Sequence, residues 1–200
     1  AISDFGSADI LHYLLARDSI HGSMKDEVVL EGNYLRVNNQ QVRVISGGEP
    51  GSIPWDALEA DVVIDATGRF LTRDKLALHL DSGAKRVLLT RNPKDDLDRY
   101  VIPGINESEI SLKDKIISTT SSTTQVLALM IKMLDESFGL KRAMMTTVHA
   151  YTADQPLADV AGSDLRRSRS AVENIIPNTS LSPVLVEKIM PQYQGKIEGI

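Results

Sequence analysis

The chain has 200 residues, of which 42% are hydrophobic and 24% charged, and this composition predicts a globular protein with one large domain or two small ones. Its formal net charge is −5 and it has no basic run, so nucleic acid and anionic membranes are not expected as partners. Because it has no Cys, disulfides, thiolate metal sites and thiol nucleophiles are excluded, and no metal site is predicted.

The two ends of the chain have the pattern of interrupted strands. Residues 1–4 look like the tail of a strand and residues 196–200 like the start of one, so we expect both ends to be cut from something longer. No apolar run reaches bilayer-spanning length, and no basic segment followed by an apolar one marks a secretory signal. A cytoplasmic location is the default expectation.

The first complete element is predicted to be a helix over residues 7–17. Ser7 is its candidate N-cap, and one face carries Ile10, Leu11, Leu14 and Leu15. Asp4 then lies between a strand and a helix. Dinucleotide-binding folds place an acidic residue there, which accepts hydrogen bonds from the adenosine ribose. The alternative is an ordinary loop Asp that is solvated or capping.

An alternation of strands and helices follows. Short antiparallel strands are predicted at 28–30, 34–37 and 42–45, and the single Trp, Trp55, is expected to pack in the core. A strand of the buried parallel type is predicted at 61–65, a helix at 73–80, and further strands at 86–90 and ending at Ser118. This order predicts an α/β fold with a doubly wound parallel sheet. Ligands of such sheets bind beyond the carboxyl ends of the strands, where the sequence places Asp4, Thr67, Thr90 and Ser121.

Four consecutive hydroxyl residues, 121–124, stand between a strand and an apolar run at 126–134 that suits a buried helix ending at Gly139. The N-terminus of a helix carries unpaired N–H groups and the positive pole of the dipole, so it favours anions and activated nucleophiles. The alternative is that these hydroxyls only cap the helix.

Residues 141–149 are predicted to form a strand that delivers His149 at its end, and residues 150–180 a long irregular segment. Long irregular segments within compact domains are usually functional. Two readings remain open for its charged residues: a salt-bridged structural loop, or a phosphate site built on paired arginines. These residues are Arg166, Arg167 and Arg169, with Asp154, Asp159 and Asp164 opposite.

Six motifs in collinear order, spread over essentially the whole chain, resemble the glyceraldehyde-3-phosphate dehydrogenase family. They lie at residues 1–4 (A-I-N-D in the family), 18–22 (D-S-T-H-G), 66–70 (S-T-G-R-F), 146–152 (T-T-V-H-A-Y-T), 164–169 (D-L-R-R-A-R) and 175–177 (I-I-P). Erythrose-4-phosphate dehydrogenase is a close relative with the same motifs, so erythrose 4-phosphate is an alternative substrate.

The resemblance implies a domain organisation. Residues 1–121 would form a partial NAD-binding domain of the Rossmann type that lacks its first strand–helix unit, because the family's opening strand and G-F-G-R-I-G-R turn have no match here. Residues 122–200 would form part of an α+β catalytic domain that includes the irregular loop 150–180. Family members form tetramers through that loop, so a homo-oligomer is expected.

The resemblance also implies a mechanism and a set of site residues. In the family a Cys thiolate attacks the aldehyde of a phosphorylated sugar, a His removes the proton, hydride passes to NAD, and inorganic phosphate cleaves the thioester. By this resemblance the catalytic positions are Ser122 and His149. The substrate and phosphate positions are Ser121, Thr123, Thr152, Asp154, Arg167 and Ser180, and the cofactor positions are Asp4, Thr67, Gly68 and Thr90.

The nucleophile segment departs from the family. S-N-A-S-C-T-T-N-C becomes S-T-T-S-S-T-T-Q-V at residues 118–126, and five of the nine positions differ, which favours natural divergence over a single engineered change. A hydroxyl is far more basic than a thiol, which titrates at about 8.5. A Ser nucleophile works when its base is oriented by a third group, and no such acid is evident beside His149.

Three hypotheses follow from the departure at Ser122. The chain is an NAD-dependent phosphorylating aldehyde dehydrogenase that is weak or silent, which makes it a pseudoenzyme candidate in glycolysis. Alternatively, it is a non-catalytic paralogue that binds nucleotide or sugar phosphate. The third hypothesis is a structural remnant that binds no cofactor.

Overall fold

The computed structural model describes residues 1–200, which divide into two compact units: Ala1–Arg99 with Ser111–Thr119, and Tyr100–Ile110 with Thr120–Ile200. The helices are α1 Ala8–Ala16, α2 Arg73–Asp81, α3 Ser122–Phe138 and α4 Ser182–Ile189. The strands are β1 Ile2–Asp4, β2 Arg17–Asp18, β3 Gly22–Ser23, β4 Val28–Glu31, β5 Tyr34–Val37, β6 Gln40–Ser46, β7 Val62–Asp65, β8 Arg86–Leu89, β9 Arg99–Tyr100, β10 Ile116–Ser118, β11 Ala143–Met145 and β12 Ile197–Gly199. The predicted boundary between residues 121 and 122 stays a prediction.

The first sheet of the first unit has the order β1-β6-β5-β4. β1 runs parallel to β6 with Ile2 opposite Val44, and the hairpins β4–β5 and β5–β6 are antiparallel, as the sequence predicts. Helix α1 packs on this sheet through a small core of Ala8, Leu35 and Val44. Ser7 is its N-cap, as predicted, since its Oγ accepts from the backbone N–H of Ile10.

The second sheet of this unit has the order β7-β8-β10-β9, with β7 and β10 both parallel to β8. Its core joins α2 to the sheet through Leu76, Val87, Leu89 and Ile116. The parallel strands lie where the sequence predicts them, and the α/β class is confirmed. The parallel strands are divided between two four-stranded sheets, and β1 and β7 are each the outer strand of their own sheet.

Strand β7 corrects one prediction about burial. The sequence predicts a strand buried on both faces, but only Val63 and Asp65 are buried, while Val62 is 54% and Ile64 62% exposed. Val63 packs with Ile53 and Trp55, which cover one face of the strand only. An apolar strand therefore alternates between a covered and an uncovered face.

The core of the second unit joins α3, α4, β12 and the segment after β9. Its buried members include Ile102, Leu127, Ile131 and Val186, and β11 runs parallel to β12. Helix α3 ends where predicted: Gly139 has φ 73° and donates its N–H to the carbonyl of Asp135. No helix of the structure is long and apolar enough to cross a membrane.

Helix α3 was predicted to be buried, and the structure corrects this. Its buried face carries Thr124, Leu127, Ala128 and Ile131. Val126, Met130 and Met133 are exposed on the rest of the helix. The reason is geometric, because neighbours on one side can cover only one stripe of a helix.

Two carboxylates tie loops of the fold together. Asp114 Oδ2 accepts from the backbone N–H of Ser111 at 2.7 Å and from Arg99 Nε at 2.9 Å. Both hydrogen bonds lower the pKa of Asp114, and the one from Ser111 has the larger effect. Asp135 Oδ2 accepts from the hydroxyl of Tyr193 at 2.7 Å, and this hydrogen bond is the main reason why the pKa of Asp135 is lowered.

Acidification is therefore expected to destabilise the chain. A carboxyl group whose pKa is lower in the folded state contributes stability above its unfolded pKa of about 3.9, and that stability is lost as the pH falls through the folded value. The urea midpoint of unfolding should fall steadily between about pH 5 and pH 2. The double variant Asp114→Asn, Asp135→Asn should start less stable and lose less on acidification. An acid loss of equal size in both proteins would contradict the assignment.

Candidate functional site

The start of helix α3 is organised by hydroxyl groups. Ser121 is the N-cap, and its Oγ accepts from the backbone N–H of Thr124 at 3.2 Å. Thr124 Oγ1 lies 2.8 Å from Ser121 Oγ and donates to Ser182 Oγ at 3.0 Å, so the single proton of Ser121 is the one between the first two oxygens. The capping role is thus confirmed for Ser121, whose hydroxyl has no proton to donate to a ligand.

The same network links two of the predicted phosphate positions. Ser180 Oγ accepts from the backbone N–H of Ser182 at 3.2 Å, so Ser180 and Ser121 are connected through Ser182 and Thr124. The N-terminal ends of α3 and α4 therefore lie close together. Helix α4 is not among the elements predicted from the sequence; its signal is Pro183 in the first turn, which is a preferred place for Pro.

Ser122 is the first residue of α3 and is exposed. Its hydroxyl makes no hydrogen bond with the rest of the protein, and the first turn of the helix contains no acidic residue. The position therefore lies at the positive end of the helix dipole, and no carboxylate in the same turn opposes it. The structure offers Ser122 no hydrogen-bonded base.

The structure places His149 in an irregular segment and so corrects the predicted strand. β11 ends at Met145, one further backbone hydrogen bond joins the N–H of Thr147 to the carbonyl of Ile200, and His149 lies beyond this pairing. His149 Nδ1 lies 2.5 Å from the carbonyl oxygen of Ala150. A carbonyl can only accept, so Nδ1 carries the proton and Nε2 is the basic nitrogen. No hydrogen bond joins His149 to Ser122.

The irregular segment 150–180 contains no helix or strand, as predicted. Arg169 pairs with Asp159 at 2.7 Å, and Arg166 donates to the carbonyl of Pro177 at 3.2 Å, so both have structural roles in the loop. Arg167 differs, since its Nε is 3.9 Å from Asp164, whereas Arg169 lies 2.7 Å from its partner. Of the three arginines, Arg167 is the one whose guanidinium is held most loosely.

Three further predicted substrate positions lie in this unit. Thr152 Oγ1 donates to Asp154 Oδ1, so this pair is joined as one polar group. Thr123 is half-buried in the first turn of α3.

The predicted cofactor positions belong to the first unit. Asp4 ends β1 and is exposed; its Oδ1 accepts from the backbone N–H of Gly6 at 2.7 Å, and no protein donor meets its Oδ2. The ring of Phe5 lies 6.3 Å from that of Phe70, and the guanidinium of Arg69 lies 3.8 Å above Phe5. The carboxyl ends of β1 and β7 are therefore at the same edge of the unit.

Asp65 organises the rest of this edge, although the sequence pattern identifies it only as the end of a strand. Its buried carboxylate Oδ1 accepts from Thr67 twice, from the backbone N–H at 2.9 Å and from Oγ1 at 2.7 Å. Its carbonyl accepts from Thr90, from the N–H at 3.1 Å and from Oγ1 at 3.2 Å. The missed signal is an acidic residue that ends an apolar strand two positions before a Thr.

The charge of Asp65 is stabilised in the folded protein. Burial alone would raise its pKa, but hydrogen bonds from His79 and from Thr67 outweigh burial, and the pKa of Asp65 is lowered. The carboxylate is therefore ionised at neutral pH and acts as an acceptor only. No group of three or more His, Asp or Glu residues is arranged to hold a metal ion.

The hydrogen bonds of Thr67 and Thr90 with Asp65 determine which ligand groups this edge of the first unit can bind. The hydroxyl of Thr67 donates to Asp65 and accepts from the backbone N–H of Arg69 at 3.2 Å, so it has no proton left for a ligand. Thr90 likewise uses its hydroxyl proton on Asp65. Acceptors without protons suit ribose hydroxyls and amino groups better than phosphate oxygens.

Gly68 has φ +68°, and a Cβ at this position would lie 3.2 Å from Arg91 Nη1. The left-handed backbone favours Gly, and the guanidinium of Arg91 leaves little room for a side chain. Asp4, Thr67, Gly68 and Thr90 thus lie at one edge of the first unit, where the side chains of Asp4 and Thr67 are exposed.

Comparison with known proteins gives two matches to family models. Residues 1–73 match the model described as glyceraldehyde 3-phosphate dehydrogenase, NAD binding domain. Residues 121–200 match the model described as glyceraldehyde 3-phosphate dehydrogenase, C-terminal domain. Both matches contain predicted site residues: Asp4 and Thr67 in the first, Ser122 and His149 in the second.

Several curated proteins are similar along the entire chain. The chromosomal glyceraldehyde-3-phosphate dehydrogenase of Cupriavidus necator is 39% identical over 199 residues, which is 100% of this chain and 59% of that protein. The protein of the same name from Geobacillus stearothermophilus is also 39% identical, over 100% of this chain and 60% of its own length. The one from Mycoplasma pneumoniae is 42% identical over 90% of this chain and 53% of its own length. The chain thus spans less than two thirds of these relatives.

Proposed function

Because the chain belongs to the glyceraldehyde-3-phosphate dehydrogenase family, we propose that it is an NAD-dependent oxidoreductase for a phosphosugar aldehyde whose catalysis is weak or silent. The observation that supports weak or silent catalysis is the place of Ser122 in the structure. It occupies the first position of α3, at the positive end of a 17-residue helix, with no hydrogen-bonded base. This position would activate a thiol but not an alcohol.

The physical reason is the difference in acidity between the two groups. A helix N-terminus brings the pKa of a thiol from about 8.5 into the range of about 3.5 to 7.5, so that a thiolate exists at neutral pH. The same stabilisation leaves a Ser hydroxyl protonated. Ser122 would then need a hydrogen-bonded base. His149 donates its Nδ1–H to the carbonyl oxygen of Ala150 and makes no hydrogen bond with Ser122.

NAD is the cofactor that the first unit fits, and when bound it supplies the hydride acceptor. Asp4 has a free carboxylate oxygen for the ribose hydroxyls, and Thr67 presents an acceptor without a proton. Gly68 allows the backbone to approach a ligand closely. These are the groups that we propose bind and orient the adenosine half.

A phosphosugar and inorganic phosphate are the proposed small-molecule ligands of the second unit. The N-terminal ends of α3 and α4 meet at the Ser121–Thr124–Ser182 network, and helix N-termini favour anions. Arg167 is an exposed cation of this unit that can turn to a phosphate group. Glyceraldehyde 3-phosphate is the substrate that we propose, with erythrose 4-phosphate as the alternative.

A non-catalytic binding protein is the second candidate function, and a specific observation favours it. The hydroxyls at the start of α3 are used for capping and for the link to α4, while Ser122 has no base. Such a chain would bind nucleotide or sugar phosphate without turnover. The two candidates differ in one respect: only the first becomes active when a thiol replaces the hydroxyl of Ser122.

Self-association is proposed for the loop 150–180, as the family resemblance implies. This loop exposes large apolar side chains, among them Leu157, Leu165 and Ile175. Burial of such residues between copies is favourable. A single monomeric species at high concentration in analytical ultracentrifugation would exclude this part of the proposal.

Excess NAD is expected to raise the melting temperature of the chain, because a ligand that binds only the folded state stabilises it. At about one hundred times the dissociation constant the gain is about 2.7 kcal/mol, which corresponds to roughly 5 to 10 °C for a chain of this size. Differential scanning fluorimetry measures it, with Asp4→Ala as the variant expected to need more NAD. An unchanged melting temperature at millimolar NAD would overturn the NAD proposal.

A further inference from the structure

A chain of buried hydrogen bonds runs from the core of the first unit to the proposed cofactor edge. Trp55 Nε1 donates to His79 Nδ1 at 3.0 Å, and both side chains are buried. His79 Nε2 lies 3.4 Å from Asp65 Oδ2. The other oxygen of Asp65 receives the two hydrogen bonds from Thr67.

The indole of Trp55 fixes the direction of donation along this series of hydrogen bonds. An indole nitrogen can only donate, so His79 Nδ1 must be the acceptor and the proton of the neutral ring is on Nε2. That proton faces Asp65, and a carboxylate can only accept. Donation therefore runs from Trp55 to His79 to Asp65, and Asp65 accepts from opposite sides, from His79 and from Thr67.

Packing alone does not require this arrangement. The neighbours of Trp55 in the core are apolar, namely Ile53, Val63 and Ala84. Buried polar groups cost free energy unless each one is hydrogen-bonded, and an apolar side chain on helix α2 would avoid that cost. These buried hydrogen bonds orient the carboxylate of Asp65, because His79 donates to one of its oxygens and Thr67 donates to the other.

We propose that His79 is a positioning residue for dinucleotide binding: its Nε2–H holds the rotamer of Asp65, and thereby the turn at Thr67 and Gly68. Trp55 contributes by selecting the tautomer of His79 that can donate to Asp65. The inference rests on the proposed function, since it concerns the edge assigned to the adenosine half of NAD. Neither Trp55 nor His79 reaches the ligand itself.

Two conservative variants separate positioning from packing. The amide of a Gln can take the place of Nε2 and that of an Asn the place of Nδ1, because the side chains differ in length by one methylene. His79→Gln therefore keeps the donor to Asp65 and loses the acceptor of Trp55. His79→Asn keeps the acceptor of Trp55 and loses the donor to Asp65, so each variant removes one buried hydrogen bond.

The proposal predicts different results for the two variants. By isothermal titration calorimetry, His79→Asn should bind NAD about three- to tenfold more weakly than the parent chain, which is the effect of one lost hydrogen bond. His79→Gln should bind within about twofold of the parent. Hydrogen exchange at the amides of Thr67 and Arg69 should accelerate in His79→Asn only. The emission of Trp55, the single Trp, should change in His79→Gln only.

The exchange measurement needs no ligand, so it distinguishes failure of this inference from failure of the proposed function. If the parent chain binds no NAD, the cofactor proposal falls, and the exchange rates at Thr67 and Arg69 still decide on the role of His79. Equal exchange in the two variants, or faster exchange in His79→Gln alone, would overturn the positioning role. Urea midpoints and circular dichroism of both variants confirm that each one is folded.

Discussion

Replacing Ser122 by Cys should create a thiol whose pKa is about one to two units below the ordinary value of 8.5. The cause is the first position of α3, where unpaired backbone N–H groups and the helix dipole stabilise a thiolate. The chain has no other Cys, so alkylation by iodoacetamide reports this thiol alone. We expect its rate at pH 7 to exceed that of an ordinary exposed thiol by about tenfold.

Helix α3 itself provides the matched control. Ser137 is exposed in the last turn of the same helix, where the dipole disfavours a thiolate. The Ser137→Cys variant should therefore titrate at or above the ordinary thiol pKa. Equal pH profiles for the two thiols would show that the helix terminus does not activate position 122. In that case the account of the nucleophile position would be wrong.

The second large effect concerns stability. Leu76 on α2 is fully buried at 0% exposure and packs with Val87 and Leu89 of the parallel sheet. Leu76→Ala should lower the free energy of unfolding by about 2 to 5 kcal/mol, because it removes buried surface and leaves a cavity. Urea unfolding followed by the fluorescence of Trp55 measures this loss in the unit that contains Leu76.

Leu112 is the control for this substitution, since the same side chain is 87% exposed there. Leu112→Ala should change the free energy of unfolding by less than about 0.5 kcal/mol. Similar losses in the two variants would mean that α2 is not packed on the sheet as described. Position 112 belongs to the same unit as Leu76, so both variants are followed by the same signal from Trp55.

Local signals were sufficient to predict several elements of this fold. Ser7 marks the start of α1 by its own side chain, and Gly139 marks the end of α3 because its φ is positive. Strand and helix alternation likewise predicted the parallel pairing of β7 with β8. Each of these features depends on residues a few positions apart, which is the information that a sequence pattern contains.

Features that depend on distant residues were predicted less well. Whether Val62 of β7 or Met130 of α3 is buried depends on which elements cover each face. The end of β11 depends on its pairing with β12, some 50 residues later, so the sequence alone placed His149 wrongly at a strand end. The role of Asp65 was missed because its partners Thr90 and His79 are remote in the chain.

Site residues show the same division. Ser121 was correctly seen as a candidate cap, because a cap contacts its own helix. The links from Thr124 to Ser182 and from Trp55 to His79 join residues of different elements, and no spacing rule predicts them. The predicted site positions came from the family resemblance. The structure adds the hydrogen-bond partners of the hydroxyls and carboxylates at those positions.

The central claim is that a family site is silenced at Ser122, and the most direct test is NADH formation from glyceraldehyde 3-phosphate, NAD and inorganic phosphate. The chain with Ser122 should form NADH no faster than a blank, and the Ser122→Cys variant should form it measurably. NADH formation by the Ser122 chain at a comparable rate would show that the hydroxyl is a working nucleophile. No NADH from either chain would contradict the enzyme proposal and favour a binding protein.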